Sequence, residues 1–161
     1  MNFEAKRIRH EWVQTNWAAP QRVFPLLCPV RETEWIPGWR YRMIYSSSGV
    51  AELGCIFITT NEDGSETTWI VTEYSAVNFR IAFAWVNPGR VAAEIRIHLE
   101  PKGLQETAVH IQYTYTGLTE PGNREVERFN AAWFAHKMQT WEAAINHYLK
   151  TGRQIDASRE E

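Results

Sequence analysis

The segment PGNREVERFNAAWFAHKMQTWEAAINHYLK, residues 121–150, decides how the chain folds. Its apolar side chains recur every three or four residues, which is typical of a helix with one buried face. The members of this stripe are Ala131, Phe134, Met138, Trp141, Ile145 and Leu149. Pro121 and Gly122 mark the start, while Lys150 and Gly152 supply a basic last turn and a glycine just beyond it. The pattern predicts one long helix over residues 121–150.

The chain upstream of this helix alternates between apolar and polar residues, which is the period of half-buried strands. The alternation is clearest from Trp39 to Tyr45, where large apolar side chains oppose Arg40 and Arg42. Short polar turns such as the one at residues 87–89 separate the alternating segments. We predict strands over residues 5–17, 39–45, 52–60, 67–74, 76–86, 90–100 and 106–116. Consecutive strands with short connections predict an antiparallel sheet.

The segment that follows the first strand changes character. Pro20 stands where a helix can begin. Pro25 and Pro29 exclude one continuous helix, because each lacks an amide hydrogen and clashes with the preceding turn. We therefore predict two short helices with a bend at Cys28 and Pro29.

The length and the composition suit one domain with a substantial core. The chain has 161 residues, of which 44% are hydrophobic and 13% aromatic, with eight tryptophans. Rings commonly line small-molecule pockets, although a core rich in aromatic side chains is the alternative. We predict one ligand-binding domain over residues 1–150 and a polar, flexible tail over residues 151–161.

Charge and patterning argue against several classes of protein. The net charge of −2 gives no basic field for nucleic acid or anionic lipid. No apolar run approaches the length of a membrane span, and charges interrupt residues 1–12, where a secretion signal needs an apolar core. Cys28 and Cys55 form no CxxC pair and indicate no disulfide framework. We expect a cytoplasmic protein that binds no nucleic acid and does not insert into a membrane.

Three local sequences stand out within this order of elements. They are AAPQRVF at residues 18–24, WIPGW at residues 35–39, and TAVHIQYTYT at residues 107–116, which runs directly into the long helix. In this order they resemble the START-related, birch-pollen-allergen-like superfamily, in the group of bacterial polyketide cyclases and lipid-transport proteins. The resemblance covers residues 5–150.

The resemblance implies an α+β helix-grip fold. A curved seven-stranded antiparallel sheet wraps round a long C-terminal helix, two short helices lie between strands 1 and 2, and a cavity separates sheet and helix. Members of the superfamily bind lipids, hormones, polyketides and similar apolar molecules. Some catalyse cyclisation or dehydration, and others are co-chaperone domains that bind proteins. Pro25 and Pro29 depart from the usual first-helix pattern, which leaves the shape of the cavity mouth open.

Inward-facing side chains of the strands and of the long helix are the expected lining of this cavity. Strand parity and helical periodicity select Trp12, Tyr41, Met43, Trp69, Phe83, Trp85, Tyr113, Tyr115, Asn130, Phe134, Met138 and Trp141. A solid core is the alternative for each. The three tyrosines matter most, because a buried phenol needs a hydrogen-bond partner and a ligand can supply one.

Two residues are candidates for acid–base chemistry. His10 has inward parity on the first strand, and Glu127 lies on the buried face of the long helix near its start. An ordinary packed histidine and a solvated first-turn acid are the alternatives. His98 and His110 have outward parity on neighbouring strands, and the sequence contains no HxxxH, HExxH or Cys/His ligand spacing. We therefore predict no metal and no cofactor.

These observations favour binding or transport of a small hydrophobic or aromatic molecule in the internal cavity. A cyclase- or dehydratase-like enzyme that uses His10 or Glu127 is the second hypothesis. A protein-interaction domain, like the ATPase-activator branch of the superfamily, is the third, with an exposed apolar patch around Phe129 and Trp133 as its mark. The ligand and the oligomeric state, including a homodimer, stay open at this point.

Overall fold

The structure, a computed structural model, describes residues 2–155. These residues form a seven-stranded antiparallel sheet in the spatial order β1-β7-β6-β5-β4-β3-β2, so the first strand lies beside the last. The strands are β1 Arg7–Asn16, β2 Arg42–Tyr45, β3 Ile56–Thr60, β4 Glu66–Ser75, β5 Arg80–Asn87, β6 Val91–Gly103 and β7 Glu106–Gly117. The seven predicted strands are confirmed, although β2, β3 and β5 begin three or four residues later than the alternation indicated.

Helical segments follow β1 and β7. They are α1 Pro20–Val23, a 3₁₀ turn Phe24–Leu27, α2 Pro29–Glu32, α3 Glu120–Arg128 and α4 Ala131–Thr151. The predicted α+β fold, a sheet wrapped round a C-terminal helix with short helices after the first strand, is confirmed. The first residue of the predicted tail, Thr151, is the last residue of α4. Residues 156–161 of that tail lie outside the described part of the chain.

The prediction of one continuous helix over residues 121–150 is wrong. The chain leaves the helical conformation at Phe129 (ψ 56°) and Asn130 (ψ 176°). The Asn130 side chain then accepts a hydrogen bond from the Trp133 amide at 2.9 Å and caps α4. The apolar stripe continues across this break, so periodicity alone cannot detect it.

The prediction of two short helices after β1 needs a similar correction. The structure has three short helical segments there, because Pro25 lies within a separate 3₁₀ turn between α1 and α2. The predicted bend at Cys28 is present: this residue is extended (φ −82°, ψ 135°), as expected before Pro29. The short helices cover one end of the sheet with buried side chains of Val23 and Leu27.

The C-terminal half of α4 is hydrogen-bonded to the end of β1. The Glu142 carboxylate accepts a hydrogen bond from the Thr15 amide at 2.8 Å. Asn146 accepts one from the Trp17 amide at 3.0 Å and donates one to the Thr15 carbonyl at 3.0 Å. Together with burial of Ile145, these bonds hold this half of the helix at a fixed distance from the sheet.

The start of α3 is fixed by a buried asparagine and a tightly packed glycine. Asn123 accepts a hydrogen bond from the Lys6 amide and donates one to the Glu4 carbonyl, each at 2.9 Å. Gly122 lies against the turn between β5 and β6. A Cβ atom at this position would lie 1.7 Å from the carbonyl oxygen of Arg90, so only glycine fits.

We expect Gly122→Ala to lower the free energy of unfolding by about 2 kcal/mol or more, because the helix must move away from the β5–β6 turn. Urea denaturation measures the change. Gly103→Ala is the matched control, since a Cβ there meets nothing closer than 3.9 Å and should change stability by less than about 1 kcal/mol. Equal effects of the two substitutions would contradict the close approach.

Candidate functional site

A cleft of about 500 Å³ opens between the inner face of the sheet and the first turns of α4. Trp69 and Trp85 form its aromatic wall, and Lys137 of α4 lines it together with Glu125 of α3. The remaining lining residues are polar for the most part and come from the β3–β4 and β5–β6 ends of the sheet: Thr59, Asn61, Glu62, Asp63, Thr67, Asn87, Arg90 and Val91. The cleft is thus aromatic on its sheet side and charged at its rim.

The two tryptophans stand directly opposite each other on β4 and β5. Their ring centroids are 6.0 Å apart, and Trp69 also stacks on Phe57 at 5.4 Å with an interplanar angle of 13°. The Trp69 indole donates a hydrogen bond to the Thr59 hydroxyl at 2.9 Å, which fixes the orientation of its ring. The two rings are tilted by 45° to each other, so the aromatic wall is preformed but angled. Such a wall can pack against the ring of an aromatic ligand.

Lys137 is the cationic group of the cleft. Its side chain is accessible to solvent, and its Nζ lies 5.1 Å from the ring centre of Tyr113 and 5.2 Å from that of Trp133. The surrounding protein desolvates the amine and lowers its pKa to about 8. Contact with two ring faces offsets part of this loss of hydration. At neutral pH a minor but reactive fraction of the amine is uncharged.

A second perturbed group is Glu32, the last residue of α2. Burial raises the pKa of the Glu32 carboxyl to about 8, so this side chain is largely protonated at neutral pH. Burial also raises the pKa of the Tyr113 phenol, and the negative charge of Glu32 raises it further. Tyr113 therefore lies within electrostatic reach of Glu32 and in contact with Lys137, and it remains protonated.

Two buried donors have no partner within residues 2–155. The Tyr115 hydroxyl and the Trp12 indole nitrogen are both fully enclosed and form no hydrogen bond there. Leaving such groups unpaired costs about 1–3 kcal/mol each. A polar ligand atom or a water molecule would relieve that cost.

The rim of the cleft is held by Arg90. Its guanidinium contacts Asp63 of the β3–β4 turn at 2.6 Å and Glu125 of α3 at 3.0 Å. Hydrogen bonds from Ser65 lower the pKa of Asp63 to about 2, and the Arg90 charge contributes to this shift. Arg90 therefore ties the hairpin to the helix across one side of the opening.

The twelve residues predicted to line the cavity fall into three groups. Trp69 and Trp85 line the cleft, and Tyr113 contacts Lys137, which also lines it. Asn130 is exposed and caps α4. The others pack in or against the hydrophobic core: Trp12, Tyr41, Met43, Phe83, Tyr115, Phe134, Met138 and Trp141. Ligand binding by these residues stays a prediction.

The two predicted acid–base candidates lie away from the cleft. His10 Nε2 is 2.6 Å from the Phe129 carbonyl oxygen, to which it donates, and its ring stacks on Phe134 at 4.8 Å. These contacts support the α3–α4 junction. Glu127 is exposed and forms an ion pair with Lys6 on the surface. The catalytic role of either residue remains untested.

Sequence reasoning missed Lys137 and Glu32. Lys137 lies one turn after Trp133 and beside Met138, so a helical wheel could have placed it next to the buried stripe. Glu32 lies between Arg31 and Thr33 in a segment with three prolines, which gave no comparable signal. Their perturbed pKa values depend on tertiary burial, which the sequence does not reveal.

Comparison with solved structures finds the same architecture in several proteins. Norcoclaurine synthase from Thalictrum flavum, in complex with dopamine and hydroxybenzaldehyde, superposes with a TM-score of 0.63 at 16% identity, over 91% of this chain and 87% of the other. The Mll3558 protein from Rhizobium loti superposes with a TM-score of 0.63 at 14% identity, over 90% and 99% of the two chains. The chain has the same helix-grip fold as these proteins.

DynU16, a protein of the dynemicin biosynthetic locus, has the same helix-grip fold over 91% of this chain and 48% of its own length, with a TM-score of 0.55 and 18% identity. No protein-family model and no curated protein sequence matches the chain. Within residues 2–155, no helix combines the length and apolarity needed to cross a membrane.

The raised pKa of Glu32 predicts a pH-dependent stability. Between about pH 4.5 and pH 8 the folded state holds a proton that the unfolded state has lost, so stability falls as the pH rises through this window. Glu32→Gln removes this dependence. We expect the variant to gain about 2 kcal/mol or more over the original protein between about pH 5 and pH 9.

Urea denaturation at both pH values measures the difference. Glu62→Gln is the control, because Glu62 is exposed in the β3–β4 turn and its replacement should leave the pH dependence unchanged. A Glu32→Gln variant with the same pH dependence as the original protein would show that Glu32 is ionised in the folded state.

Proposed function

We propose that the protein binds a small aromatic molecule in the cleft between the sheet and α4, with Lys137 as the anchor for an oxygen of the ligand. The observation that carries the proposal is the juxtaposition of the solvent-accessible Lys137 amine with the wall of Trp69 and Trp85 in one cleft. Burial of one ring against this wall would contribute about 2–3 kcal/mol. A hydrogen bond or ion pair with the amine would set its orientation.

The fold neighbours support the choice of ligand class. The norcoclaurine synthase structure holds dopamine and hydroxybenzaldehyde, which are both small phenols. A cleft of about 500 Å³ falls in the range that accommodates molecules of this size. Hydroxybenzaldehyde is a suitable first probe, because it offers a ring, a hydroxyl and a carbonyl oxygen.

The alternative of a protein-interaction domain has less support. That hypothesis expects an exposed apolar patch around Phe129 and Trp133. Both side chains are instead half-buried, stack on each other at 4.4 Å and pack against Tyr115. These rings therefore pack mainly against one another rather than forming an exposed apolar patch.

We expect Trp85→Ala to weaken binding of 4-hydroxybenzaldehyde roughly tenfold, because the ring loses its stacking wall. Titration followed by calorimetry measures the affinity. Trp17→Ala is the matched control, since the Trp17 side chain is 60% exposed and lies outside the cleft. Native mass spectrometry of freshly purified protein complements this titration by detecting any aromatic molecule retained from the cell.

Loss of affinity in Trp85→Ala but not in Trp17→Ala would support the cleft as the binding site. Equal affinities of the two variants would place the probe elsewhere. No measurable binding of the probe, together with a ligand-free mass of the purified protein, would overturn the proposal.

A second candidate function is amine catalysis on an aromatic aldehyde, and the lowered pKa of Lys137 favours it. The neutral amine would attack the aldehyde carbon, and loss of water would give an imine between Lys137 and the substrate. Tyr113, whose ring centre lies 5.1 Å from the Lys137 Nζ, is the phenol that we assign as proton donor to the departing oxygen. In this second proposal the residues that act on the substrate are Lys137 and Tyr113, rather than His10 and Glu127.

We expect borohydride to trap this imine as a stable secondary amine after incubation with 4-hydroxybenzaldehyde. Peptide mass spectrometry would locate the adduct. Modification should concentrate on Lys137 and disappear in Lys137→Met, while Lys150→Met, an exposed lysine on the same helix, should retain it. Adducts distributed evenly over all lysines would reject amine catalysis and leave simple binding.

A further inference from the structure

A cluster of metal-ligating side chains lies on the outer face of the sheet, opposite to the cleft. His98 of β6 and His110 of β7 stand directly across from each other in the sheet register. Their rings are parallel, with centroids 4.4 Å apart. Glu100 follows on the same face of β6, two residues beyond His98. Strand pairing therefore assembles the three side chains from two neighbouring strands.

The atoms available for coordination are close together. One ligand atom from each of His98, Glu100 and His110 can be chosen so that all three lie within 4.8 Å of one another. The Glu100 carboxylate approaches His110 Nε2 at 3.3 Å and His98 Nε2 at 3.8 Å, with a different oxygen in each case. Ligand atoms round a tetrahedral Zn²⁺ ion are separated by roughly 3.3–3.5 Å, so small movements suffice.

One of these atoms forms no hydrogen bond within residues 2–155. It is His110 Nε2, which is enclosed by protein and lies beside Glu100. A buried nitrogen of this kind is usually paired, because its desolvation is otherwise uncompensated. This nitrogen can therefore serve as a donor to a ligand beside the histidine pair, an observation independent of the spacing of the three side chains.

We propose that His98, Glu100 and His110 bind a divalent transition-metal ion of the Zn²⁺ type. Two imidazoles and one carboxylate are a common ligand set for Zn²⁺, and they leave a fourth position for water or another donor. The two parallel rings must tilt toward each other for their lone pairs to meet at one ion. Both rings are about one-third exposed, which leaves them this freedom.

The surroundings decide what else can reach the ion. A surface depression of about 390 Å³ adjoins the two histidines and holds Arg80, Arg96 and Glu73. Arg80 stands opposite His98 in the β5–β6 pairing, so its charge opposes a cation and favours an anionic fourth ligand. The site is therefore suited to a metal ion with a bound hydroxide or carboxylate.

Isothermal titration of metal-stripped, full-length protein with Zn²⁺ tests the proposal. We expect one equivalent to bind, and we expect His98→Ala, His110→Ala and Glu100→Gln each to weaken binding by more than about tenfold. His136→Ala is the control, because this histidine is exposed on α4 and should leave the affinity unchanged. Co²⁺ titration followed by its visible absorption reports the coordination geometry independently.

Thermal unfolding separates loss of the site from loss of the fold. Zn²⁺ should raise the Tm of the original protein and of His136→Ala, but not that of His110→Ala. Glu100→Gln retains both histidines and serves if an alanine variant does not fold. Absence of Zn²⁺ binding by the original protein, or equal weakening in His136→Ala, would overturn the assignment. These outcomes leave the proposed cleft function untouched, because the cluster lies on the other face of the sheet.

Discussion

Hydrogen bonds between β1 and the C-terminal half of α4 set the distance between the helix and the sheet. Glu142 and Asn146 bind backbone groups at the end of β1, so the helix cannot approach or leave the sheet at that end. Near its start, α4 is separated from α3 by a break at Phe129, whose carbonyl is held by His10. The cleft lies beside this less directly tethered half. Its width therefore depends on anchors located elsewhere in the fold.

Two ionisable side chains, Lys137 at the cleft and Glu32 at the end of α2, are desolvated by the surrounding protein. Lys137 and Glu32 are both driven toward their neutral forms by desolvation, and Tyr113 lies within electrostatic or direct reach of each. Replacing either group by a neutral side chain would remove a cost to folding. Polar groups retained at such a cost are typical of functional sites, where stability is traded for chemistry.

Much of the fold could be predicted from the sequence, because alternation and helical periodicity report which faces are buried. The break at Asn130 was missed because the apolar stripe is continuous across it, although an asparagine before Ala131 is a typical N-cap. The histidine pair was missed for another reason. Gly103 pairs with Glu106 but Pro101 pairs with Thr107, so an irregularity near the turn shifts the register by one residue. The alternation of residues predicts that His98 and His110 face outward, but it does not predict that they stand opposite each other.

The pairing of β1 with β7 determines when the protein can complete its fold. Arg7 lies opposite Thr116 and Asn16 opposite Thr107. The edge strand β1 therefore pairs with a strand, β7, that is synthesised about a hundred residues later. The residues of α4 that bind β1 are synthesised later still. Such long-range contacts slow folding, and an unpaired amphipathic strand is exposed until they form. On the ribosome, β1 therefore remains without its β7 partner until residues 107–116 have emerged.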